Sequence, residues 1–333
     1  MLHAEATSSD TLEGVAEFER WFSSIPGSDI DSSVRHEAFG NLRGLTMKNS
    51  GSDGPVITVP RSVVLQSDMN DPDWDAHLAK QLWRECSALS TSPLYGYCAL
   101  LTKAWTEATD VPSSCAPNAL RHWTDNQKQK LASKPAGQRI LELNQQQESQ
   151  WRRKFEDVDG LTWDQFQWAM EVVNSRAFCG EFGVGTSSLS PIISTVTPAI
   201  AAAAGATYFF QFQGQNDAVL IGLAAIASLP ALYNLVNQSP PAAVLLPFID
   251  SANHREDADS KIDYSPLSDA FTLSTGSQCL VSEESGNQLY ISYGKKSDAE
   301  LLLNYGFLEG VRLTGDDIDM DRQSLTEAFL ARN

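Results

Sequence analysis

The sequence predicts an α+β fold in which short strands near both ends of the chain flank a long helical insertion. Segments 42–45, 55–65, 271–273 and 289–292 are short, apolar or rich in Val, Ile and Thr, and adjoin Gly-containing turns, as is typical of strands. From Trp74 to about Ala177 the pattern changes to long helical stretches. Strands and helices do not alternate, which argues against a doubly wound parallel sheet.

Composition limits the class of protein and its partners. The chain has 333 residues, of which 42% are hydrophobic and 20% charged, and its net charge is −18. This is a globular composition, and the negative charge favours basic or neutral partners over nucleic acid. Five scattered cysteines form no C-x-x-C pair, so we expect a reducing compartment and no metal site. The first ten residues resemble neither a signal nor a transit peptide, which predicts a cytosolic or a processed protein.

The first predicted elements are a helix and two strands. Leu12, Val15, Phe18, Trp21 and Phe22 recur at helical spacing, and an Ile-Pro-Gly sequence then ends the pattern, so we expect an amphipathic helix. The strands 42–45 and 55–65 follow, separated by a Gly-Ser-Asp-Gly turn.

The helical insertion and the C-terminal elements come next. Helices are predicted at Trp74 to Leu89 and at Phe166 to Phe178, with a Gln-rich polar run between them. Strands Phe271 to Leu273 and Leu289 to Ser292 bracket a Gly-containing turn, and a helix is predicted from Asp298 to Tyr305.

An apolar stretch separates the helical insertion from the C-terminal strands. Between Phe182 and Phe248 the only charged side chain is Asp217, which lies in a polar connection between Leu189 to Phe210 and Ala218 to Val236. Each run is close to the ~20 residues that span a hydrocarbon core. The uncharged length favours membrane contact through Leu189 to Val236, because a soluble hairpin usually keeps a charged outer face. A buried pair of Ala-rich helices is the alternative.

The first of four segments with candidate functional residues runs from Phe39 to Leu45 and reads FGNLRGL. The strand Val56 to Pro60 follows it. A glycine in such a turn lets the backbone lie against a ligand with no Cβ between them. Taken alone, the segment also fits an ordinary glycine turn between strands.

The second segment, Phe166 to Phe178, reads FQWAMEVVNSRAF. Its apolar residues form the core face of a helix, and Ser175 and Arg176 lie at the helix end. The planar fork of arginine suits a carboxylate or carbonyl partner, since it donates two parallel hydrogen bonds.

The third and fourth segments lie in the C-terminal half. Leu246 to His254 reads LPFIDSANH, and His254 is the only one of the five histidines with a motif around it. Gln288 to Phe307 reads QLYISYGKKSDAELLLNYGF, which predicts a strand, a turn and an amphipathic helix with Leu301 to Leu303 in the core.

Together the four segments resemble the Rubisco large-subunit methyltransferase branch of the SET-domain family, from about Phe18 to Phe307. They are similar to its Gly-rich turn with an "LxVP" strand, and to "FxWAxxxVxSRAF", "LVPxxDxxNH" and "xVFISYGxKSNAELLLxYGF". The resemblance implies a SET domain of short strands with a pseudoknot, an inserted helical subdomain and, in this chain, an extra apolar helical hairpin. The expected divisions are 1–66, 67–180, 181–240, 241–312 and an acidic tail at 313–333.

The resemblance also implies S-adenosylmethionine as cofactor, a protein lysine as acceptor and Tyr293 as the catalytic residue. Phe178 favours lysine, because an apolar ring suits a lysine stem better than an imidazole. The residues expected to contact the cofactor are Leu42, Arg43, Gly44, Leu45, Ser175, Asn253 and His254. Those expected to line the substrate channel are Arg176, Phe178, Asp250, Tyr305 and Phe307.

The chain departs from the family pattern at several points. Asn41 and Leu42 stand where an acidic residue and the first glycine are usual, and Arg255 stands where serine is common. Only some 25 residues follow Phe307. In relatives a helical C-terminal domain binds the protein substrate, and we expect this domain to be missing here. One possible cause is its removal by processing.

A second hypothesis follows from these departures. The chain is then a weakly active or inactive SET-fold subunit, docked to a thylakoid membrane protein complex through Leu189 to Val236. The location implied by the resemblance is the plastid, in the stroma or on the stroma-facing thylakoid membrane, with the cytoplasm as second choice.

Overall fold

The computed structural model describes residues 14–39, 42–48, 54–102, 111–116, 118–133, 135–155, 160–182, 240–283 and 286–308. The predicted apolar hairpin, Leu189 to Val236, and the acidic tail, 313–333, lie outside these residues. Within them, no helix combines the length and apolar character needed to cross a membrane.

The chain divides into two compact units. The first comprises Met1–Ser67, Asp71–Phe178 and Ala243–Asn333, and it holds all the predicted site residues. The second comprises Asp68–Asn70 and Cys179–Ala242, where Met69 N donates a 3.1 Å hydrogen bond to Pro241 O.

The predicted N-terminal helix is present as α1 (Val15–Ser23). Val15, Phe18, Trp21 and Phe22 are buried, as their helical spacing predicts. Ser24 closes the helix, since its backbone N–H and its hydroxyl both donate to carbonyls of the last turn.

The sequence predicts strands near both ends of the chain, and the structure joins strands from the two ends in two antiparallel sheets. The first has the order β1-β4-β10-β9, formed by Asp29–Ile30, Pro55–Pro60, Ala270–Thr275 and Ser260–Ser265. The second has the order β11-β12-β3-β2, formed by Leu280–Glu283, Gly286–Ile291, Leu42–Met47 and Val34–Phe39. A short strand, β8 (Asn253–His254), pairs with β12 in parallel.

The strand predicted at 55–65 is divided in two. β4 ends at Pro60, a 3₁₀ turn occupies Arg61–Val63, and β5 (Leu65–Asp68) begins a third, smaller sheet beside β7 (Ala242–Leu245). Pro60 has no N–H for the ladder, which helps the strand to end there. The sequence also missed β11, which lies where only a turn was expected.

The helical insertion contains five helices in the described residues. They are α2 (Trp74–Ser87), α3 (Tyr95–Leu101), α4 (Asp125–Ala132), α5 (Pro135–Lys154) and α6 (Trp163–Arg176). α6 starts three residues before the predicted Phe166, because Thr162 and Gln165 form a capping box. It ends at Arg176, so Phe178 is the first residue of strand β6 (Phe178–Gly180), not part of the helix.

The C-terminal helix differs from the continuous helix predicted for Asp298 to Tyr305. It begins as α7 (Asp298–Glu300), capped by Ser297, and continues as one π-helical turn over Leu301–Tyr305. Leu302 and Leu303 pack in a core cluster with residues of the insertion, namely Leu120, Trp123, Leu131 and Ile140. Insertion and C-terminal segment therefore share one hydrophobic core.

Gly306 ends the π-helical turn and meets the insertion at very close range. Its φ of +77° lies in the left-handed region, and a Cβ at this position would lie 2.2 Å from the carbonyl carbon of Asn118. Gly160 has a similar φ of +73°, but a Cβ there would meet no described atom within 4 Å.

We expect Gly306→Ala to lower the free energy of unfolding by about 3 kcal/mol, since left-handed strain of about 1–2 kcal/mol adds to a backbone clash. Gly160→Ala should lower the free energy of unfolding only by the left-handed strain, because its Cβ meets no described atom. Urea denaturation of both variants measures the two decreases in the free energy of unfolding. Equal decreases would show that the backbone near Asn118 can move away from an added Cβ at little cost.

Candidate functional site

Side chains from three of the four sequence segments converge on one turn. Arg176 comes from the end of α6, Asp250 from the 3₁₀ turn Ile249–Ser251, and Tyr293 from the residues after β12. They are far apart in sequence, and only the packing of the insertion against the sheets brings them together.

The centre of the site is a buried ion pair. Arg176 Nη1 donates to both the backbone oxygen of Asp250, at 3.0 Å, and its Oδ2 atom, at 3.2 Å. The Asp250 side chain is 0% exposed and that of Arg176 16% exposed. The hydroxyl of Tyr97, a buried residue of α3, donates to the same Oδ2 at 2.6 Å.

Charge and burial oppose each other in this pair. Burial is the largest influence and would lower the pKa of Arg176, but attraction by Asp250 and, to a lesser extent, by Cys115, Tyr97 and Tyr293 together outweighs it, so the pKa is raised. Burial, and then the Asp250 charge, raise the pKa of Tyr97 well above its usual value. The site therefore contains a charged pair and a neutral phenol.

Phe248, which precedes the turn that carries Asp250, has a strained backbone conformation. Phe248 has a φ of +77°, which is unusual for a residue with a Cβ, and its side chain is only 1% exposed. Its ring lies 4.6 Å from that of His36 and 5.1 Å from that of Phe22. Packing against these rings offsets the strain, and it holds the turn that carries Asp250.

Tyr293 lies in an aromatic cluster. Its ring stacks on His254, with centroids 4.8 Å apart, and on Tyr305, with centroids 5.2 Å apart. Phe307 completes the cluster at 6.0 Å from Tyr305 and 6.2 Å from His254. The π-helical turn that ends at Tyr305 and the parallel pairing of β8 with β12 bring these rings together.

Polar contacts fix the orientation of Tyr293. Its hydroxyl donates to Ala252 O at 2.9 Å, and its backbone N–H donates to His254 Nδ1 at 3.0 Å. His254 Nδ1 is thus an acceptor, which leaves the ring proton on Nε2. Burial, followed by the neighbouring Tyr305, raises the pKa of Tyr293, so its hydroxyl stays protonated at neutral pH.

The glycine turn meets the third segment at Gly44. A Cβ on Gly44 would lie 2.7 Å from Asn253 Nδ2 and 2.9 Å from Gln288 Nε2, so only glycine allows this approach. Leu45 is fully buried and has the surroundings of a core residue. Leu42 begins β3 opposite Phe39, and its side chain is outside the described part.

Two further predicted residues stand apart from these contacts. Ser175 Oγ donates to Glu171 O at 2.8 Å, a bond within its own helix. Phe178 is half-buried, and within the described residues it makes no ring contact with the aromatic cluster. For both, participation in the site stays a prediction.

The sequence did not reveal two buried residues that organise the site. One is Tyr97, whose partner Asp250 is 153 positions away. The other is Glu171, which accepts hydrogen bonds from His122 Nε2 at 2.6 Å and from the Ser114 hydroxyl. Tyr97 lies outside the four segments, and Glu171 lies within the second one as an ordinary helix position, so only the tertiary contacts identify them.

Several buried polar atoms of the site could bind a ligand. Asp250 Oδ1, Ser251 Oγ and Asn253 Nδ2 are buried and have no hydrogen-bond partner within the described part of the chain. They offer an acceptor, a hydroxyl and a donor, which fits a ligand with both amine and oxygen or ring-nitrogen groups. Among the described residues, no group of three or more His, Cys, Asp or Glu could hold a metal ion.

Comparison with known proteins identifies the fold. No protein-family model and no curated protein matches the chain. The chain is similar to the solved SET domain of LSMT bound to methyl-lysine and S-adenosylhomocysteine (AdoHcy), with 17% identity and a TM-score of 0.52. The match covers 90% of this chain and 57% of that one, so the chain spans just over half its length. The same domain bound to lysine and AdoHcy gives 19% identity, a TM-score of 0.39 and the same coverage. The chain thus has the SET-domain fold.

We expect Asp250→Asn to lower the free energy of unfolding by about 3–5 kcal/mol, because the buried Arg176 loses its counter-charge. The matched control is Asp257→Asn, whose carboxylate pairs with Arg255 at the surface and should cost less than about 1 kcal/mol. Chemical denaturation of both variants measures the two losses. Similar losses would show that the buried pair contributes no more than a surface pair.

Proposed function

We propose that this protein is an S-adenosylmethionine-dependent protein-lysine N-methyltransferase. The observation that carries this proposal is the position of Tyr293, stacked between His254 and Tyr305 in a SET-domain fold. Further support comes from LSMT, whose SET domain was solved with methyl-lysine and AdoHcy.

The aromatic cluster suits methyl transfer to an amine. The reaction is an in-line displacement, so the protein must align methyl donor and nitrogen and exclude water between them. Tyr293, Tyr305 and Phe307 provide rigid apolar walls for a lysine stem. Ring faces attract a cationic centre by on the order of 0.5–2 kcal/mol each, too little to account for catalysis without alignment.

The acceptor amine must lose its proton before it can react. An apolar channel disfavours the charged ammonium and lowers its pKa from about 10.4. Because burial raises the pKa of Tyr293, its hydroxyl stays neutral and adds no negative charge that would hold the amine protonated. Its hydrogen bond to Ala252 O keeps the ring in place.

The cofactor, when bound, supplies an activated methyl group on a sulfonium. The side chains that would hold it are those with unused polar atoms near Gly44 and Asp250, namely Asn253 and Asp250. The open backbone at Gly44 leaves no Cβ between strand β3 and the Asn253 amide. Asp250 remains fixed through Arg176 and Tyr97 while its Oδ1 atom is available to a ligand amine.

We further propose a plastid location, on the strength of the sequence resemblance. The alternative, an inactive SET-fold subunit docked to a membrane protein complex, depends on the hairpin outside the described residues. The experiments below distinguish the methyltransferase from the inactive subunit, because an inactive subunit need neither bind the cofactor nor transfer its methyl group.

Isothermal titration with AdoHcy and a methyl-transfer assay test the proposal. The assay uses the purified chain, isotope-labelled S-adenosylmethionine and a library of lysine peptides. The same peptides with acetylated lysines are the matched control. We expect AdoHcy binding and label transfer to free lysines alone. AdoHcy binding without label transfer to any peptide would show only that the protein binds the cofactor. Absence of AdoHcy binding would support the inactive SET-fold subunit.

We expect Tyr293→Phe to reduce turnover by about 10-fold or more, since the ring loses the hydrogen bond that orients it. AdoHcy affinity should remain near normal, because the ring itself is kept. Tyr264→Phe, which removes a hydroxyl bonded to Asp269 at a distant hairpin, is the control. Single-turnover assays and calorimetry measure both properties. Normal turnover in Tyr293→Phe would remove Tyr293 from its catalytic role.

A further inference from the structure

Tyr305 ends a helical turn of unusual width. Gly306 N donates a 2.9 Å hydrogen bond to Leu301 O, five residues back, where an α-helix uses the residue four back. Such π-helical turns are rare, and they occur frequently at functional sites. The wider turn changes the angle at which its side chains leave the helix. The stacking of Tyr305 on Tyr293, with centroids 5.2 Å apart, therefore depends on the turn keeping this geometry.

Asn304, the residue immediately before Tyr305, is bonded to helix α5 of the insertion. Gln147 Nε2 donates to Asn304 Oδ1 at 2.8 Å, across 157 positions of sequence. Both residues are half-buried. Leu302 and Leu303 attach the apolar side of the turn to the insertion, as described above. The hydrogen bond adds a directional attachment one residue away from the ring of Tyr305.

Arg121 fixes the direction of this hydrogen bond. Its Nη2 atom donates to Gln147 Oε1 at 3.3 Å, and arginine has donors but no acceptor. The oxygen of Gln147 must therefore face Arg121, which leaves the amide nitrogen for Asn304. Asn304 must in turn present its oxygen. Two amides that could each be turned around thus have a single arrangement, because a cation lies at one end.

The guanidinium of Arg121 is itself held by two helices. Its side chain is 8% exposed, and Cζ lies 4.4 Å from the ring centroid of Trp151, which follows Gln147 by four residues on α5. Its Nη1 atom lies 3.8 Å from Glu171 Oε2 of α6. The insertion therefore presents the Gln147 amide to the π-helical turn in a fixed position.

We propose that Gln147 is a positioning residue for the lysine channel, an inference that rests on the proposed function. Through Asn304 it holds Tyr305 at the angle that stacks this ring on Tyr293. A channel wall contacts the lysine stem equally in the bound substrate and in the transition state. Displacing the wall weakens peptide binding without changing the chemical step, so KM rises and kcat does not.

The test compares Gln147→Leu with Gln146→Leu in the methyl-transfer assay, with the lysine peptide that the unmodified chain labels best. Gln146 is exposed on the same helix, so this matched control has the same change of side chain but keeps the hydrogen bond to Asn304. We expect Gln147→Leu to raise KM about three- to tenfold, as the loss of one hydrogen bond predicts, and to keep kcat within about twofold. Gln146→Leu should change neither.

A purely structural role for Gln147 predicts a different result. A partly unfolded sample contains fewer active molecules, so kcat falls while KM stays the same. That pattern in Gln147→Leu would overturn the inference, as would an unchanged KM, and both results would leave the proposed function intact. If the unmodified chain transfers no methyl group to any peptide, the proposed function and the inference fail together.

Carboxylate substitutions give a second readout that depends on the hydrogen bond itself. Asn304→Asp keeps an acceptor for the Gln147 amide. Gln147→Glu keeps the acceptor for Arg121, and the Asn304 amide can rotate to donate to the second oxygen. We expect each single variant to keep KM within about twofold of the unmodified chain.

The double variant, Gln147→Glu with Asn304→Asp, sets two carboxylates against each other with no donor between them. We expect it to raise KM at least as much as Gln147→Leu, far beyond the sum of its two single changes. A normal KM in the double variant would overturn the inference, as would an increase in Asn304→Asp equal to that in Gln147→Leu.

Discussion

The buried contact of Arg176 with Asp250 joins the helical insertion to the C-terminal segment. Arg176 ends the last helix of the insertion, and Asp250 belongs to the turn that leads into β8. Because both charges are withdrawn from water, each needs the other, and the pair sets the position of helix against turn. Tyr97 adds a third element by bonding the same carboxylate.

The aromatic cluster depends on this contact through a short stretch of backbone. From Asp250 the chain passes through Ala252, whose carbonyl accepts the Tyr293 hydroxyl, to His254, whose ring stacks on Tyr293. A shift of the turn would therefore change both the hydrogen bond and the stacking. The strained Phe248 lies immediately before this turn, and its packing holds the turn in one conformation.

Arg176, Asp250 and Tyr97 form the buried polar part of the site. Burying these groups is costly unless they pair with one another, and the hydrogen bonds among them meet that requirement. The aromatic cluster is apolar by contrast, so the two parts of the site suit different chemical groups.

Local patterns predicted much of the fold and several of the site residues. Helix α1 follows from apolar spacing, and α6 from a periodic segment, although its capping box places the start earlier than expected. The split of the strand at Pro60 and the π-helical turn at Leu301–Tyr305 were missed. Local sequence patterns predict that a helix or strand exists more reliably than they predict its ends or its distortions, because packing decides the latter.

The sequence by itself determined the class of fold and named Tyr293, Asn253 and His254 as candidate site residues, because these residues lie in continuous motifs. Tertiary structure alone decided which side chains meet. Tyr97 and Asp250 are 153 positions apart, and Gly306 contacts the backbone of Asn118. Arg176 has the same sequence context whether it is solvated or buried. Only its burial against Asp250 makes it half of an ion pair, since the energy of a charge depends on its surroundings and not on its neighbours in the chain.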